Sequence, residues 1–379
     1  MPDSLLTKFA DVLVNYSVDT KKDHLVRVSA PTLATPLVEQ IVRQILKAGA
    51  HPLVRFGYQQ FGSEHIQDIF FEQASDEQLK FVDPIGMFEI EKIDRYIGIG
   101  ADENCRHTSS VDPKRLAAAS IGRKPFLETL LGRAAKKELN WVYTQYPTDA
   151  FAQGAEMSLH QYEDFLFRAC KLQADNPVAE WKKLSESQHR LVDFLNGKSD
   201  YHVVAANGTD VRMSVQNKTW INCDGKANFP DGEVFTGPEI TSVNGQINFS
   251  FPAVHHGREV TDVKLTFKDG KVVAASASKG EDFLLTTLDT DAGSRFLGEC
   301  AIGTNFDIQQ YTRNTLFDEK IGGTVHFALG KGYPETGNTN ESAVHWDMVV
   351  DLRQGGFIEI DGEKINVDGK FIKSDWPRK

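Results

Sequence analysis

The chain has few cysteines, no excess of basic residues and no long apolar segment. Its 379 residues include four cysteines and no Cys-x-x-Cys pair, so we expect free thiols, as in a reducing cytoplasm, rather than disulfides or a zinc knuckle. The formal net charge of −11 argues against nucleic acid and against an anionic membrane as the main partner. No apolar run reaches the roughly 18 residues of a membrane-spanning helix, so we expect none.

Several targeting and catalytic signals are also missing. The first residues contain acids and no basic segment followed by an apolar stretch, so we expect no signal peptide and a cytoplasmic protein. The motifs HExxH, GxSxG and the P-loop do not occur, which excludes the enzyme classes that depend on them. "GIGADE" at residues 98–103 begins like a dinucleotide-binding loop, but Glu103 replaces the last glycine. We interpret it as the end of a buried strand.

The pattern of apolar residues changes near Gly197. Before this point helical and strand patterns alternate, which predicts a mostly parallel sheet with helices on its faces. Beyond it, Asn-Gly and Asp-Gly turns lie between extended apolar runs, which predicts antiparallel hairpins; one helical pattern, residues 280–299, interrupts them. We therefore predict an α/β domain at residues 1–197, and an α+β domain dominated by antiparallel sheet at residues 198–379. The chain length also favours two domains.

Two glutamates of the second half have unusual surroundings. Glu233 follows the Pro-Asp-Gly turn at residues 230–232 and opens the extended run "EVFTG", which gives its carboxylate a stiff support. Glu299 lies within "LGECAIG", where a buried carboxylate is costly unless it is paired or bound to a cation. The alternative for each is an acid that faces solvent, beside a turn or at the end of a helix.

Two histidines belong to predicted strands further along. His326 lies in "TVHFALG", seven residues after Glu319, and a glycine-rich turn leads from this strand to Tyr333. His345 and Asp347 are two residues apart in a strand, so they share a face and can present an imidazole and a carboxylate to one ion. Without a metal, His326 would be a hydrogen-bonded core residue and His345 would pair with Asp347. Residues 334–342 are expected to form a loop that borders the site.

The candidates together predict a site for two divalent ions. A mixture of carboxylates and imidazoles suits zinc, cobalt or manganese. One ion needs about four protein ligands, so six candidates with a bridging carboxylate fit two ions about 3.5–4 Å apart. The six are Glu233, Glu299, Glu319, His326, His345 and Asp347.

The order of the surrounding segments resembles a known family, the thermophilic-type metallo-aminopeptidases, which include aminopeptidase T, aminopeptidase S and PepS. The resemblance implies a two-metal exopeptidase that acts on peptides with a free N-terminus, with the six side chains above as ligands and Glu299 as the bridge. It also implies an elongated homodimer whose active sites face an enclosed chamber. The segments are "PDGEVFTGP", "LGECAIG", "NTLFDEK", "HFALGKGYP" and "ESAVHWDMV", together with "YTQYPTDAFAQGAEMSLHQYEDF" in the first half.

The expected chemistry is hydrolysis by a metal-activated water. Two cations can polarise a peptide carbonyl and lower the pKa of a shared water, while Glu233 or Glu299 accepts the proton and passes it to the leaving amine. Tyr333 matches the tyrosine that lies beside the metals in the family. It can donate a hydrogen bond to the developing oxyanion, or it can orient a ligand carboxylate.

Two other functions remain open from the sequence. A two-metal phosphoesterase or amidohydrolase would act on nitrophenyl phosphate or on blocked amides. A non-enzymatic, metal-stabilised binding protein would lose stability without its metal and would have no peptidase activity.

Overall fold

The computed structural model describes residues 3–57, 63–255 and 257–378. The chain forms two compact units. The first unit runs to Val178 and also includes Gly225–Pro230, and the second comprises Ala179–Asp224 and the chain from Asp231 onwards. The sequence places the domain boundary after residue 197, whereas this division falls inside a helix, Pro177–Leu195.

The helices of the described residues lie mostly in the first half of the chain. Residues Val12–Ser17 continue the first helix with π-helical turns, and single 3-10 turns form at Thr32–Ala34, His107–Ser110 and Pro334–Thr336. The α-helices are α1 (Asp3–Asp11), α2 (Thr35–Lys47), α3 (Glu64–Gln73), α4 (Asp76–Leu79), α5 (Pro84–Lys92), α6 (Pro113–Ala135), α7 (Asp149–Gly154), α8 (Leu159–Ala169), α9 (Pro177–Leu195), α10 (Glu281–Leu288) and α11 (Thr315–Asp318).

The strands concentrate in the second half. They are β1 (Leu25–Ala30), β2 (His51–Phe56), β3 (Arg95–Gly100), β4 (Asn140–Gln145), β5 (Asp200–Val204), β6 (Asp210–Ser214), β7 (Ile221–Cys223), β8 (Asn228–Phe229), β9 (Glu233–Thr236), β10 (Asn244–Asn248), β11 (Ala253–His255), β12 (Arg258–Val260), β13 (Lys264–Lys268), β14 (Lys271–Ser276), β15 (Leu297–Gly303), β16 (Thr324–Gly330), β17 (His345–Asp351), β18 (Phe357–Ile360), β19 (Glu363–Val367) and β20 (Lys370–Phe371).

The first unit contains a parallel sheet. Its strand order is β2-β1-β3-β4-β8, and every pair of neighbours is parallel. Buried and half-buried residues alternate along β1, while α2 buries one stripe of apolar side chains, as helices that cover a parallel sheet do. Strand β3 ends at Gly100 with its last four residues buried, so "GIGADE" includes the end of a buried strand. The predicted α/β class of this half is confirmed.

The second unit contains mainly antiparallel sheet. An eight-stranded sheet has the order β14-β13-β10-β6-β5-β18-β19-β20, and a five-stranded sheet has the order β17-β16-β15-β9-β7. One continuous cluster of buried apolar side chains draws residues from both sheets, including Tyr201 and Ile247 from one and Phe327 from the other. Gly208 and Gly270 occupy the predicted hairpin turns with positive φ. The predicted antiparallel class is confirmed.

The helix predicted at residues 280–299 is much shorter in the structure. It ends at Leu288, and the chain turns before entering β15 at Leu297. Asp291 explains the difference, because its side-chain oxygen accepts the backbone N–H groups of Gly293 and Ser294 at 3.0 Å each. Such local bonds compete with helical ones. Glu299 therefore lies within a strand rather than at a helix end.

No helix in the part of the chain that the structure describes has both the length and the apolar character needed to cross a bilayer.

Candidate metal centre

One face of the five-stranded sheet carries five of the six candidate ligands. Residues that pair directly in an antiparallel sheet share a face, and the pairing places Glu299, Ala328 and Asp347 side by side on β15, β16 and β17. His326 lies in the neighbouring row on one side and His345 in the row on the other side.

Small residues leave room for these side chains to converge. The middle row has Ala328 between its two carboxylates, and the row of His326 has Ala301 on the adjacent strand. Glu233 starts β9 and pairs with Gly303 at the end of β15. A Cβ atom at Gly303 would collide with the carbonyl oxygen of Ile321, so glycine allows the chain before β16 to approach β15 beside Glu233.

Glu299 lies between the two imidazoles. Its Oε1 atom is 3.3 Å from Nε2 of His326, and its Oε2 atom is 3.5 Å from Nε2 of His345. Nε2 of His326 is also 3.5 Å from Oε2 of Glu233, and Nε2 of His345 is 3.4 Å from Oδ2 of Asp347. Two groups of three potential ligands thus share Glu299, one with Glu233 and His326, the other with His345 and Asp347.

The orientation of His345 is fixed by the backbone. Its Nδ1 atom lies 2.9 Å from the carbonyl oxygen of Lys331. Because a carbonyl can only accept, Nδ1 carries the proton, and the lone pair of the neutral ring is on Nε2, which points at the carboxylates. Metal-binding histidines are commonly oriented in this way.

The remaining candidates, Glu319 and Tyr333, lie beside this cluster. Glu319 follows α11 and forms a further group of potential ligands with His326 and Asp347. The ring of Tyr333 packs edge-on against His345, with ring centroids 5.3 Å apart, and against Phe235 at 5.2 Å. The structure therefore brings together all seven site residues that the sequence singles out.

The loop predicted to border the site is tied to the second unit by two buried asparagines. Asn338 donates to the carbonyl oxygen of Pro238 at 2.9 Å, and Asn340 donates to that of Gly293 at 2.9 Å. The acids of this loop, Glu335 and Glu341, are exposed.

The chemistry of the cluster fits divalent cations. Glu233, Glu299 and His326 are almost completely buried, yet Oε2 of Glu233, Oδ1 of Asp347 and Nδ1 of His326 have no hydrogen-bond partner. Buried polar atoms without partners are costly, and a cation would satisfy the carboxylate oxygens. Carboxylate and imidazole ligands together suit zinc, cobalt or manganese.

Burial disfavours negative charge at the centre. It raises the pKa of Glu233 to about 8, and burial together with the nearby carboxylate of Asp347 raises the pKa of Glu299 well above its ordinary value. At His345 burial opposes a positive charge, but the carboxylates of Asp347 and Glu299 outweigh it and raise the pKa of the imidazole. A divalent cation would favour the ionised carboxylates, so metal binding is expected to release protons.

A buried lysine that the sequence does not single out belongs to the same cluster. Lys320 has no exposed surface, its Nζ atom lies 3.5 Å from Oε1 of Glu233, and it donates to Oε1 of Glu319. Burial opposes its charge, but the carboxylates of Glu233 and Glu319 outweigh this effect and raise its pKa. The only signal in the sequence is a lysine directly after Glu319 and shortly before two glycines.

Buried amide side chains hold the backbone near Glu233. Gln188 of α9 donates to the carbonyl oxygens of Cys223 at 2.9 Å and Glu233 at 3.1 Å, and it accepts from the hydroxyl of Thr304 at 2.9 Å. Asn305 donates to the carbonyl oxygen of Asp231 at 2.9 Å. No local pattern in the sequence indicates either role.

The sequence as a whole matches a family of metal-dependent peptidases. Residues 3–371 match the family model described as thermophilic metalloprotease (M29), so the class of enzyme is a metal-dependent hydrolase of peptide bonds. The chain belongs to the M29 peptidase family. The resemblance and the enzyme class predicted from the sequence are both confirmed.

Individual relatives agree with the family match. Aminopeptidase 2 of Geobacillus stearothermophilus is 28% identical, and the alignment covers 98% of this chain and 97% of that protein. The solved structure of wild-type AmpT from Thermus thermophilus has a TM-score of 0.84 at 22% identity, covering 97% of this chain and 99% of that one. This likeness shows the fold.

The same fold also occurs in a protein with a different reaction. The structure of 2,5-dihydroxypyridine dioxygenase from Pseudomonas putida KT2440 has a TM-score of 0.59 at 12% identity and covers 99% of each chain. The fold alone therefore does not determine the reaction, and the assignment to peptidases comes from the family match.

Proposed function

We propose that the protein is a two-metal aminopeptidase that removes the N-terminal residue from peptides with a free N-terminus. The observation that carries the proposal is the position of Glu299, whose two oxygens face different imidazoles. A carboxylate shared between two sets of ligands suits the paired ions of two-metal hydrolases. The name of the relative aminopeptidase 2 supports an exopeptidase.

The proposed ligands divide around Glu299. Glu233 and His326 lie on one side of it, and His345 and Asp347 on the other. Glu319 adjoins His326 and Asp347, but its Oε1 atom accepts from Lys320, so we assign its other oxygen to the metals. We propose zinc, cobalt or manganese as the ions.

The chain's own residues would then serve the hydrolysis of the peptide bond. Bound ions of this kind polarise a carbonyl and lower the pKa of water. Glu233 or Glu299 is the proposed proton acceptor, through an oxygen that the ions leave free, and it returns the proton to the leaving amine. Burial and the nearby carboxylates, Glu299 first among them, raise the pKa of Tyr333. Its hydroxyl therefore stays protonated and can donate to the developing oxyanion.

The acidic cluster also suits the substrate's free amine. Four carboxylates and two imidazoles lie close together, and a cluster of this kind attracts a positively charged N-terminal group. A small recess beside Glu319 and Asp347 has mixed walls, with Pro252 and Val349 as apolar residues and Arg313 as a charged one. We propose that this recess receives part of the substrate next to the scissile bond.

The test combines metal analysis with activity measurements. We expect about two divalent ions per chain, hydrolysis of aminoacyl-naphthylamides, no hydrolysis after acetylation of the amine, and loss of activity with a chelator. Activity on nitrophenyl phosphate or on blocked amides instead would favour the phosphoesterase or amidohydrolase. Fewer than about one ion per chain, with no rescue by cobalt or zinc, would contradict the two-metal centre.

The homodimer and the cytoplasmic location are also proposals. The first unit exposes large apolar side chains on its helices, among them Ile69, Ile85, Phe88 and Ile121. Such side chains are frequent at contacts between proteins, and we propose that some of them contact a second copy. Light scattering of the purified chain should give the mass of a dimer, and a monomer at micromolar concentration would contradict this proposal.

A further inference from the structure

Hydrogen bonds hold the backbone of Lys320 in place. Its N–H group donates to the carbonyl oxygen of Phe317 at 3.0 Å, and its own carbonyl accepts the N–H group of Asn305 at 3.1 Å. The side chain is completely buried. Loss of hydration by a buried ammonium group is costly, and nearby carboxylates must compensate for it.

The ammonium group of Lys320 contacts one oxygen of Glu233 and one oxygen of Glu319. Oε1 of Glu233 lies 3.5 Å from Nζ, whereas Oε2 of the same carboxylate faces Nε2 of His326 and has no hydrogen-bond partner. Oε1 of Glu319 likewise accepts from Lys320. One oxygen of each glutamate is thus held by the lysine, and Oε2 of Glu233 is directed towards the proposed metal ligands.

We propose that Lys320 is a positioning residue that acts as a permanent counter-cation of the metal centre. It holds Glu233 and Glu319 in place before an ion binds, and its charge repels incoming divalent ions, so it limits their affinity. This role rests on the proposed metal centre, because it requires that divalent ions bind near Glu233 and His326.

The proposal makes an unusual prediction for the variant Lys320→Met. Methionine has a similar length without the charge, so the carboxylates lose their compensating cation. The ion-free protein becomes less stable, because like charges are left buried together. Looser placement of the two glutamates weakens ion binding, but the loss of a positive charge beside Glu233 is the larger effect. Divalent ions therefore bind more tightly, by about tenfold. An ion that binds the folded protein more tightly also stabilises it more. Bound metal must therefore restore much of the free energy of unfolding that the substitution removes.

The experiment compares Lys320→Met with the wild type and with Lys268→Met. Lys268 is exposed and lies in β13 of the eight-stranded sheet, so its substitution makes the same change in net charge outside the sheet that carries the proposed ligands. Each protein is purified with excess zinc and stripped with a chelator. Zinc and cobalt dissociation constants are then measured by competition with a chromogenic chelator, and unfolding temperatures are measured with and without zinc.

Tighter zinc binding by Lys320→Met, with a stability loss that is larger in the stripped protein than in the zinc-loaded one, supports the proposal. Lys268→Met should match the wild type in both measurements. Unchanged or weaker binding, or an equal loss of stability in both states, overturns it. Failure of Lys320→Met to fold even with excess zinc also overturns it. If the wild type itself binds no divalent ion, the metal centre is wrong, and this role is wrong with it.

Discussion

The side-chain amide of Gln188 lies 3.1 Å from the carbonyl oxygen of Glu233, although the two residues are 45 positions apart in the chain. The same side chain donates a hydrogen bond to the carbonyl oxygen of Cys223 and accepts one from the hydroxyl of Thr304. One buried side chain therefore joins α9 to the beginning of β9 and the end of β15. We therefore expect the position of the Glu233 carboxylate to depend on Gln188, which holds the backbone of Glu233 rather than its side chain.

Gln188→Met is expected to remove these bonds and leave buried carbonyl groups without a donor. We expect a loss of about 2–4 kcal/mol in the free energy of unfolding and weaker zinc binding, because Glu233 is less firmly placed. Urea unfolding and zinc titration measure the two effects. Gln216→Met is the matched control, because the side chain of Gln216 is exposed. An unchanged zinc affinity would show that the network does not position Glu233.

Glu299→Gln is expected to disable the proposed bridge. An amide cannot offer two anionic oxygens to two ions, so we expect bound metal to fall to about one ion per chain or fewer and activity to fall at least 100-fold, a rough figure. Metal analysis and aminoacyl-naphthylamide hydrolysis are the measurements. Glu335→Gln, in the exposed part of the loop after Tyr333, should retain both properties. Two tightly bound ions in Glu299→Gln would contradict the bridging role.

Tyr333→Phe separates the two roles considered for the tyrosine. If the hydroxyl donates to the developing oxyanion, kcat should fall by about 10²–10³ with little change in KM or in metal affinity. The ring remains in place against His345, so packing is largely preserved. If the hydroxyl instead orients a ligand carboxylate, the zinc dissociation constant should rise along with the loss of activity.

A pH-dependent contribution to stability is expected at Glu259. The hydrogen bond from Arg313, at 2.8 Å, and that from Lys279 lower the pKa of this partly buried carboxyl. Because the folded-state pKa is below the unfolded value of about 4.3, the interaction stabilises the protein above that pH. The contribution is lost as the pH falls through the folded-state pKa.

Glu259→Gln should therefore cost about 1–2 kcal/mol at pH 7, and this difference from the wild type should shrink below about pH 4. Urea unfolding at several pH values measures the difference. Glu363→Gln, at an exposed position, serves as the control for a general change in charge. A difference that stays constant down to pH 3 would show that the carboxylate's charge is not responsible.

The candidate ligands could be predicted because each lies in a short segment with a strong local pattern. In β17 the alternation of a strand places His345 and Asp347 on one face. Such local patterns do not show which residues of neighbouring strands pair with each other. The pairing of Glu299 with Ala328, and of Ala328 with Asp347, depends on contacts between distant parts of the chain.

The supporting residues were not predictable for a similar reason. Gln188 has no special local surroundings in the sequence, and Lys320 has only its place between Glu319 and two glycines. Their contacts form only when α9, β9 and the chain after α11 come together. The overlong helix at residues 280–299 was a local error, because the apolar spacing continued past Asp291 while the side-chain bonds of Asp291 ended the helix.

The candidate ligands lie in rows across three paired strands, and this arrangement also connects metal binding to folding. A shift of one residue in the pairing of a strand moves its side chains to the opposite face, so β15, β16 and β17 gather Glu299, His326 and Asp347 only when they pair as in the structure. A misfolded chain with slipped strands would have the same residues and no centre. Tight metal binding would therefore act as a check on strand pairing, selecting the correctly folded molecules from a mixture.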